Sequence, residues 1–106
     1  MAKSSILPFR MSDADALRHL RTIAAEPARV RYTMHAKERM VERKVFPEHV
    51  VKCIQRGRVT ESPTLDLHGN WQLRVEHYMA GQTLACAVAI DIRRPQAIVI
   101  TTFWVS

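Results

Sequence analysis

The chain predicts an α+β domain, with N-terminal helices packed on one face of a mainly antiparallel sheet of four or five strands. Three observations carry this. Apolar residues recur at the helical period as far as Arg56 and alternate from Arg58 onward, the mark of a change from helix to strand. Helix punctuation falls before that change, with Ser12 ahead of one apolar stripe, Pro47 at the head of another and Gly57 at its end. The chain's 106 residues, 47% of them hydrophobic, suffice for one core and leave no room for a second.

Residues 1–11 read as a short flexible arm, since Pro8 discourages regular structure; residues 12–106 make the single domain. Ser12 and Asp15 have capping-box spacing, so the first helix begins there, buries Leu17, Leu20 and Ala24, turns Arg18 and Arg21 outward and stops before Pro27. Val30 to Met34 is rich in β-formers and reads as a short strand, after which Thr33 caps a helix through Arg43. Pro47 opens a further helix to Arg56, with Val50, Val51 and Ile54 on its core side and Gly57 as its stop.

Four strands follow. Arg58 to Glu61 is the first, with Pro63 marking an edge or bulge and Leu65 to Leu67 extending it to the turn at His68, Gly69 and Asn70. Trp71 to Met79 alternates cleanly, placing Trp71, Leu73, Val75, His77 and Met79 inward and Gln72, Arg74, Glu76 and Tyr78 outward. Thr83 to Ile92 sends Leu84, Cys86, Val88, Ile90 and Ile92 to one side and its alanines to the other, as in a central strand. Ala97 to Val105 is apolar on both faces apart from Thr101 and Thr102, so it too belongs inside the sheet.

Sixteen Lys and Arg against ten Asp and Glu give a net charge of +6, which favours polyanions such as RNA, or an acidic protein, as partners. Cys53 and Cys86 fall on apolar faces and no residues have metal-ligand spacing, so a reduced, cytoplasmic protein without metal or other cofactor is expected. The opening apolar run is too short for a signal peptide and no stretch resembles a membrane span, so no membrane association is expected.

On the second helix His35, Arg39 and Arg43 lie at i, i+4 and i+8 and share a face. Those residue types suit RNA cleavage without a metal, in which a 2′-oxygen attacks its own phosphate. Such a site needs a base, an acid and cations for the extra phosphoryl charge. At a helix start beside two guanidinium groups, an imidazole is favoured in its neutral, proton-accepting form. Arginine clamps two phosphate oxygens at once, and Lys37 adds a third cation. Arg74 and Tyr78 stand on the polar face of the sheet as further substrate contacts. The alternative, with Glu38 and Glu42 at i+3 from His35 and Arg39, is a solvated, charge-paired helix surface on a non-catalytic module that binds nucleic acid or protein.

The run Tyr32-Thr33-Met34-His35-Ala36-Lys37-Glu38-Arg39-Met40-Val41-Glu42-Arg43, then Pro47-Glu48-His49-Val50-Val51 leading to Gly57, and the ending Ile98-Val99-Ile100-Thr101-Thr102-Phe103-Trp104 resemble an uncharacterised bacterial domain family. That family has a His-Ala-x-x-Arg-Met-x-x-Arg opening and an Ile-Ile-Thr-x-aromatic closing strand, and is grouped with the RelE-like and BrnT-like toxins. The resemblance covers residues 30–104. It implies a RelE-like fold and an endoribonuclease toxin of a type II toxin–antitoxin system, with His35, Arg39 and Arg43 catalytic. Its closing threonine, Thr101 or Thr102, joins the substrate contacts. Such a toxin acts on RNA, free or on the ribosome, and is neutralised by an antitoxin, which a +6 protein would accept as an acidic partner.

Overall fold

A computed structural model describes residues 10–105; residues 1–9 of the expected N-terminal arm lie outside the described residues, as does residue 106. Helix α1 (Asp13–Ala24) starts on Ser12, whose hydroxyl accepts from the Asp15 amide at 3.0 Å. A single 3₁₀ turn, Pro27–Arg29, leads into strand β1 (Val30–Tyr32). Helix α2 (Met34–Arg43) and helix α3 (Pro47–Arg56) precede β2 (Arg58–Leu65), β3 (Trp71–Met79), β4 (Gln82–Asp91) and β5 (Gln96–Val105).

The five strands form one sheet in the order β1-β5-β4-β3-β2. β2 through β5 run as an antiparallel meander, and β1 adds to β5 in parallel, with Arg31 opposite Ile98. The sheet is therefore mixed. β2 tolerates Pro63 because it is the far edge strand, and its pairing with β3 slips on either side of Glu61.

Strand residues Leu73, Val75, Leu84, Cys86, Val88, Ile90, Ala97 and Val99 share one core cluster with Leu20, Ile23, Ala36, Met40, Val50, Cys53 and Ile54 of the helices. Alternation then fixes the rest: the helices cover one face, and the intervening strand residues stand on the other. Both cysteines are free and buried, as their apolar phase implied. The Cys53 thiol beside it, together with burial, pushes the Cys86 thiol well above its ordinary range.

Three local expectations are corrected. Ile92 does not face the core: β4 ends at Asp91, whose carboxylate accepts from the Arg93 and Arg94 amides and so starts the turn one residue early, leaving Ile92 45% exposed. Leu67 does not extend β2, because Asp66 organises the turn by accepting from the His68 and Asn70 amides, and Leu67 is fully exposed. Arg21 does not simply point away. Its Nε donates to the Ile54 carbonyl at 3.3 Å and its Nη2 to the Gly57 carbonyl at 2.8 Å, satisfying acceptors at the end of α3 from a neighbouring helix. Arg21→Ala is expected to cost about 1 kcal/mol and to lower the thermal midpoint by several degrees. Arg18→Ala, which loses only an exposed pair with Asp15, should leave the midpoint nearly unchanged in the same melts.

Candidate functional site

The segment from Tyr32 to Arg43 is held at both ends. At its start the Thr33 hydroxyl accepts from the Ala36 amide at 3.0 Å and donates to the Ile100 carbonyl at 3.2 Å, so one side chain both caps α2 and ties it to β5. At its end Arg43 Nη1 donates to the Thr102 carbonyl at 2.7 Å, while Trp104 Nε1 donates back to the Arg43 carbonyl at 2.7 Å. These reciprocal bonds fix the last turn of α2 on β5, and Ala36 and Met40 bury the face between them.

The outward face of α2 carries the predicted residues. His35 is exposed at the first turn, and its ring has no side-chain hydrogen bond to any described residue. Arg39, one turn on, is half-buried and pairs with Glu42. The i, i+4, i+8 alignment of His35, Arg39 and Arg43 follows directly from the unbroken helix. Arg43 spends one donor on the sheet, which leaves the rest of its fork outward.

Lys37 stands on the opposite flank of α2, lining an apolar groove with Met40, Val41 and Phe46. Thr102 is fully buried and its hydroxyl has no partner among the described residues, so what it offers Arg43 is its carbonyl. Thr101, its neighbour in alternation, is half-buried on the other face.

That other face, which no helix among the described residues covers, brings together the remaining predicted contacts. Across three strands Arg74 lies opposite Ala87 and Ala87 opposite Thr101; in the next row Glu76, Ala85 and Phe103 align, and in the next Tyr78, Thr83 and Val105. Alanines along β4 thus form a low strip between two taller ridges. Arg74 is engaged at both ends of its guanidinium, with Glu76 at 2.8 Å and Glu61 at 3.2 Å, and lies over the Phe103 ring at 4.9 Å. Tyr78 is 67% exposed. Apart from Lys37 in the groove and the buried Thr102, the structure accordingly separates the predicted residues into two sets, His35, Arg39 and Arg43 on α2, and Arg74, Tyr78 and Thr101 across the sheet from them.

Two features escaped the sequence reading. His49 accepts the Phe46 amide on Nδ1 at 2.9 Å, which satisfies the backbone donor at the cap position from within α3. Its ring also meets Trp104 edge-on at 5.8 Å between centroids, so this histidine ties α3 to β5. The histidine at the third helical position was the available signal, since a residue there reaches back to the cap amide. The apolar groove left no linear trace, because its lining comes from β1, α2 and the connection to α3.

Among the described residues no cluster of histidine, cysteine and carboxylate side chains would hold a metal, and no helix is long and apolar enough to cross a membrane. No curated protein and no solved structure gives a significant match to the chain. Residues 32–104, well over half of the sequence, match the family described as Domain of unknown function (DUF4258), and their span runs from the strand before α2 to the penultimate described residue of β5: the chain belongs to that family.

Proposed function

We propose that this protein is an RNA-cleaving domain of the RelE-like and BrnT-like kind, a toxin acting in the cytoplasm on RNA and held in check by an acidic antitoxin. The observation that supports it is an exposed imidazole with no hydrogen-bond partner among the described residues, set at the first turn of a clamped helix with two guanidinium groups on the same face. In this reading His35 takes the proton from an RNA 2′-hydroxyl as that oxygen attacks the adjacent phosphorus. The P–O5′ bond breaks and the departing O5′ takes a proton from solvent water, leaving a 2′,3′-cyclic phosphate and a 5′-hydroxyl. Arg39 and the outward donors of Arg43 stabilise the charge on the phosphoryl oxygens.

A second reading is favoured by a specific feature: Arg39 is paired with Glu42 and Arg43 is bound to the Thr102 carbonyl. Guanidinium groups so engaged suit a docking surface as well as a transition state, and the same face would then bind RNA without cleaving it.

Induced expression in a bacterium, with total and messenger RNA followed over the same minutes, separates the two. Growth arrest with RNA loss, abolished by His35→Ala and by Arg39→Ala at matched protein level, is the outcome expected of the toxin. Intact RNA and unimpeded growth with soluble wild-type protein would leave the binding module.

A further inference from the structure

The flank of α2 turned away from His35 carries an apolar groove of about 430 Å³ between that helix, the end of β1 and the connection to α3. Met40 and Val45, both almost fully buried, lie at its base, and Val41 and Phe46, 81% and 56% exposed, rise beside it. Lys37 and Lys44 line the same groove, and no carboxylate does.

Two residues of this groove sit where local conformation argues against them. Lys44 is in the left-handed region at φ 57°, a position that glycine or asparagine fills at lower cost. Phe46 occupies the position before the first turn of α3, where serine, threonine or aspartate would accept a hydrogen bond from the helix's first amides; the Phe46 side chain makes none, and His49 accepts only the Phe46 amide itself. Both departures lie within three residues of each other, and both side chains line the groove. Breaks in local consistency that fall on one surface mark a surface kept for contact.

We infer that this groove is the docking site for an acidic amphipathic protein segment, whose apolar side chains fill the space between Val41 and Phe46 while its carboxylates meet Lys37 and Lys44. Charge argues for this occupant: the charged groups in the lining, Lys37 and Lys44, are both cationic and the chain carries +6, so a second copy would bring lysine against lysine. The mode is that of an amphipathic helix laid into a groove. It deepens the toxin reading by giving the acidic partner a place to bind, yet stands on geometry of its own.

The probe is a fluorescein-labelled peptide with leucines at helical spacing and glutamates elsewhere, followed by fluorescence anisotropy on the full chain. The expected result is saturable binding that weakens about ten-fold or more in Val41→Ser/Phe46→Ala, and also in Lys37→Gln/Lys44→Asn, each checked for a cooperative thermal unfolding transition as in the wild type. The same peptide with lysine in place of glutamate should not bind. Absence of binding, equal binding of the two peptides, or binding indifferent to both double variants would overturn the proposal. A concentration-dependent dimer that Val41→Ser/Phe46→Ala dissociates would overturn it in favour of a second copy. Val41 and Phe46 lie apart from the His35 face, so RNA cleavage by Val41→Ser/Phe46→Ala should match the wild type, and failure of the ribonuclease reading would leave the peptide result standing.

Discussion

His35→Ala is expected to reduce RNA cleavage by about 10²–10⁴-fold, the range over which a positioned acid–base group acts, while RNA affinity stays near that of the wild type. The exposure of His35 is what separates the two effects. Its ring forms no hydrogen bond with a described residue, so its removal leaves the Thr33 cap and the Arg43 clamp intact and the fold unchanged. Arg39→Ala should lower both turnover and affinity, because a guanidinium that meets phosphate contributes to ground state and transition state alike. On the ribonuclease reading, a short RNA carrying a single 2′-deoxynucleotide at the cleaved linkage should resist the wild-type protein, since the attacking oxygen is missing. Cleavage of that RNA, or full activity in His35→Ala, would remove this chemistry from α2.

Gly57→Ala should be the most damaging of the conservative changes to the fold. A Cβ at this position would stand 2.6 Å from the Glu76 carbonyl oxygen and nearer still to that of Cys53, and neither backbone atom is free to retreat. The Cys53 carbonyl accepts the Gly57 amide at 2.8 Å, and the Gly57 carbonyl accepts from Arg21. Overpacking of this kind costs about 2–3 kcal/mol, which for a domain of this size lowers the thermal midpoint by roughly 10–20 °C. Gly81→Ala is the contrast: its Cβ would meet nothing within 4 Å, and the change costs only the strain of φ 86°, about 1 kcal/mol. A Gly57→Ala protein as stable as Gly81→Ala would show that α3 and β3 slide apart more readily than their packing implies.

Gly57 also shows where the sequence could be read and where it could not. Its place after an apolar helical stripe marks the end of α3 correctly, but the reason differs from the one that spacing suggests. The residue lies at φ −81°, an ordinary extended conformation, so it ends the helix without a left-handed turn. What demands glycine is the Cys53 carbonyl one turn back together with the backbone of a strand some twenty residues further on, and the second of these no local pattern reveals. Arg21 teaches the same lesson: its period is that of a solvent-facing residue, and its partners come from the end of α3.

The elements themselves were legible because each is written in local terms. Ser12 and Thr33 cap the helices they precede, Pro47 begins α3, and the alternation in Trp71 to Met79 puts Leu73 and Val75 in the core. The parallel partnership of β1 was not legible, since three residues carry no signal for which strand they will join. For the candidate site, the alignment of His35, Arg39 and Arg43 could be read from helical spacing alone. Its division from Arg74, Tyr78 and Thr101 required the sheet, which puts a layer of β4 alanines on one side and the α2 contact on the other.

The position of β5 bears on how the chain can be made. Its ten residues follow every other element, yet it lies between β1 and β4, receives Thr33 and Arg43 from α2, and holds Trp104 against His49 of α3. A nascent chain that has emerged only as far as β4 lacks the strand against which α2 chiefly packs and leaves one edge of β4 bare, so productive folding waits for β5 to clear the ribosome. For a protein read as harmful to its own cell, this delays the assembly of the α2 face until translation of the domain is complete, an interval in which a partner already present could meet the chain as it closes.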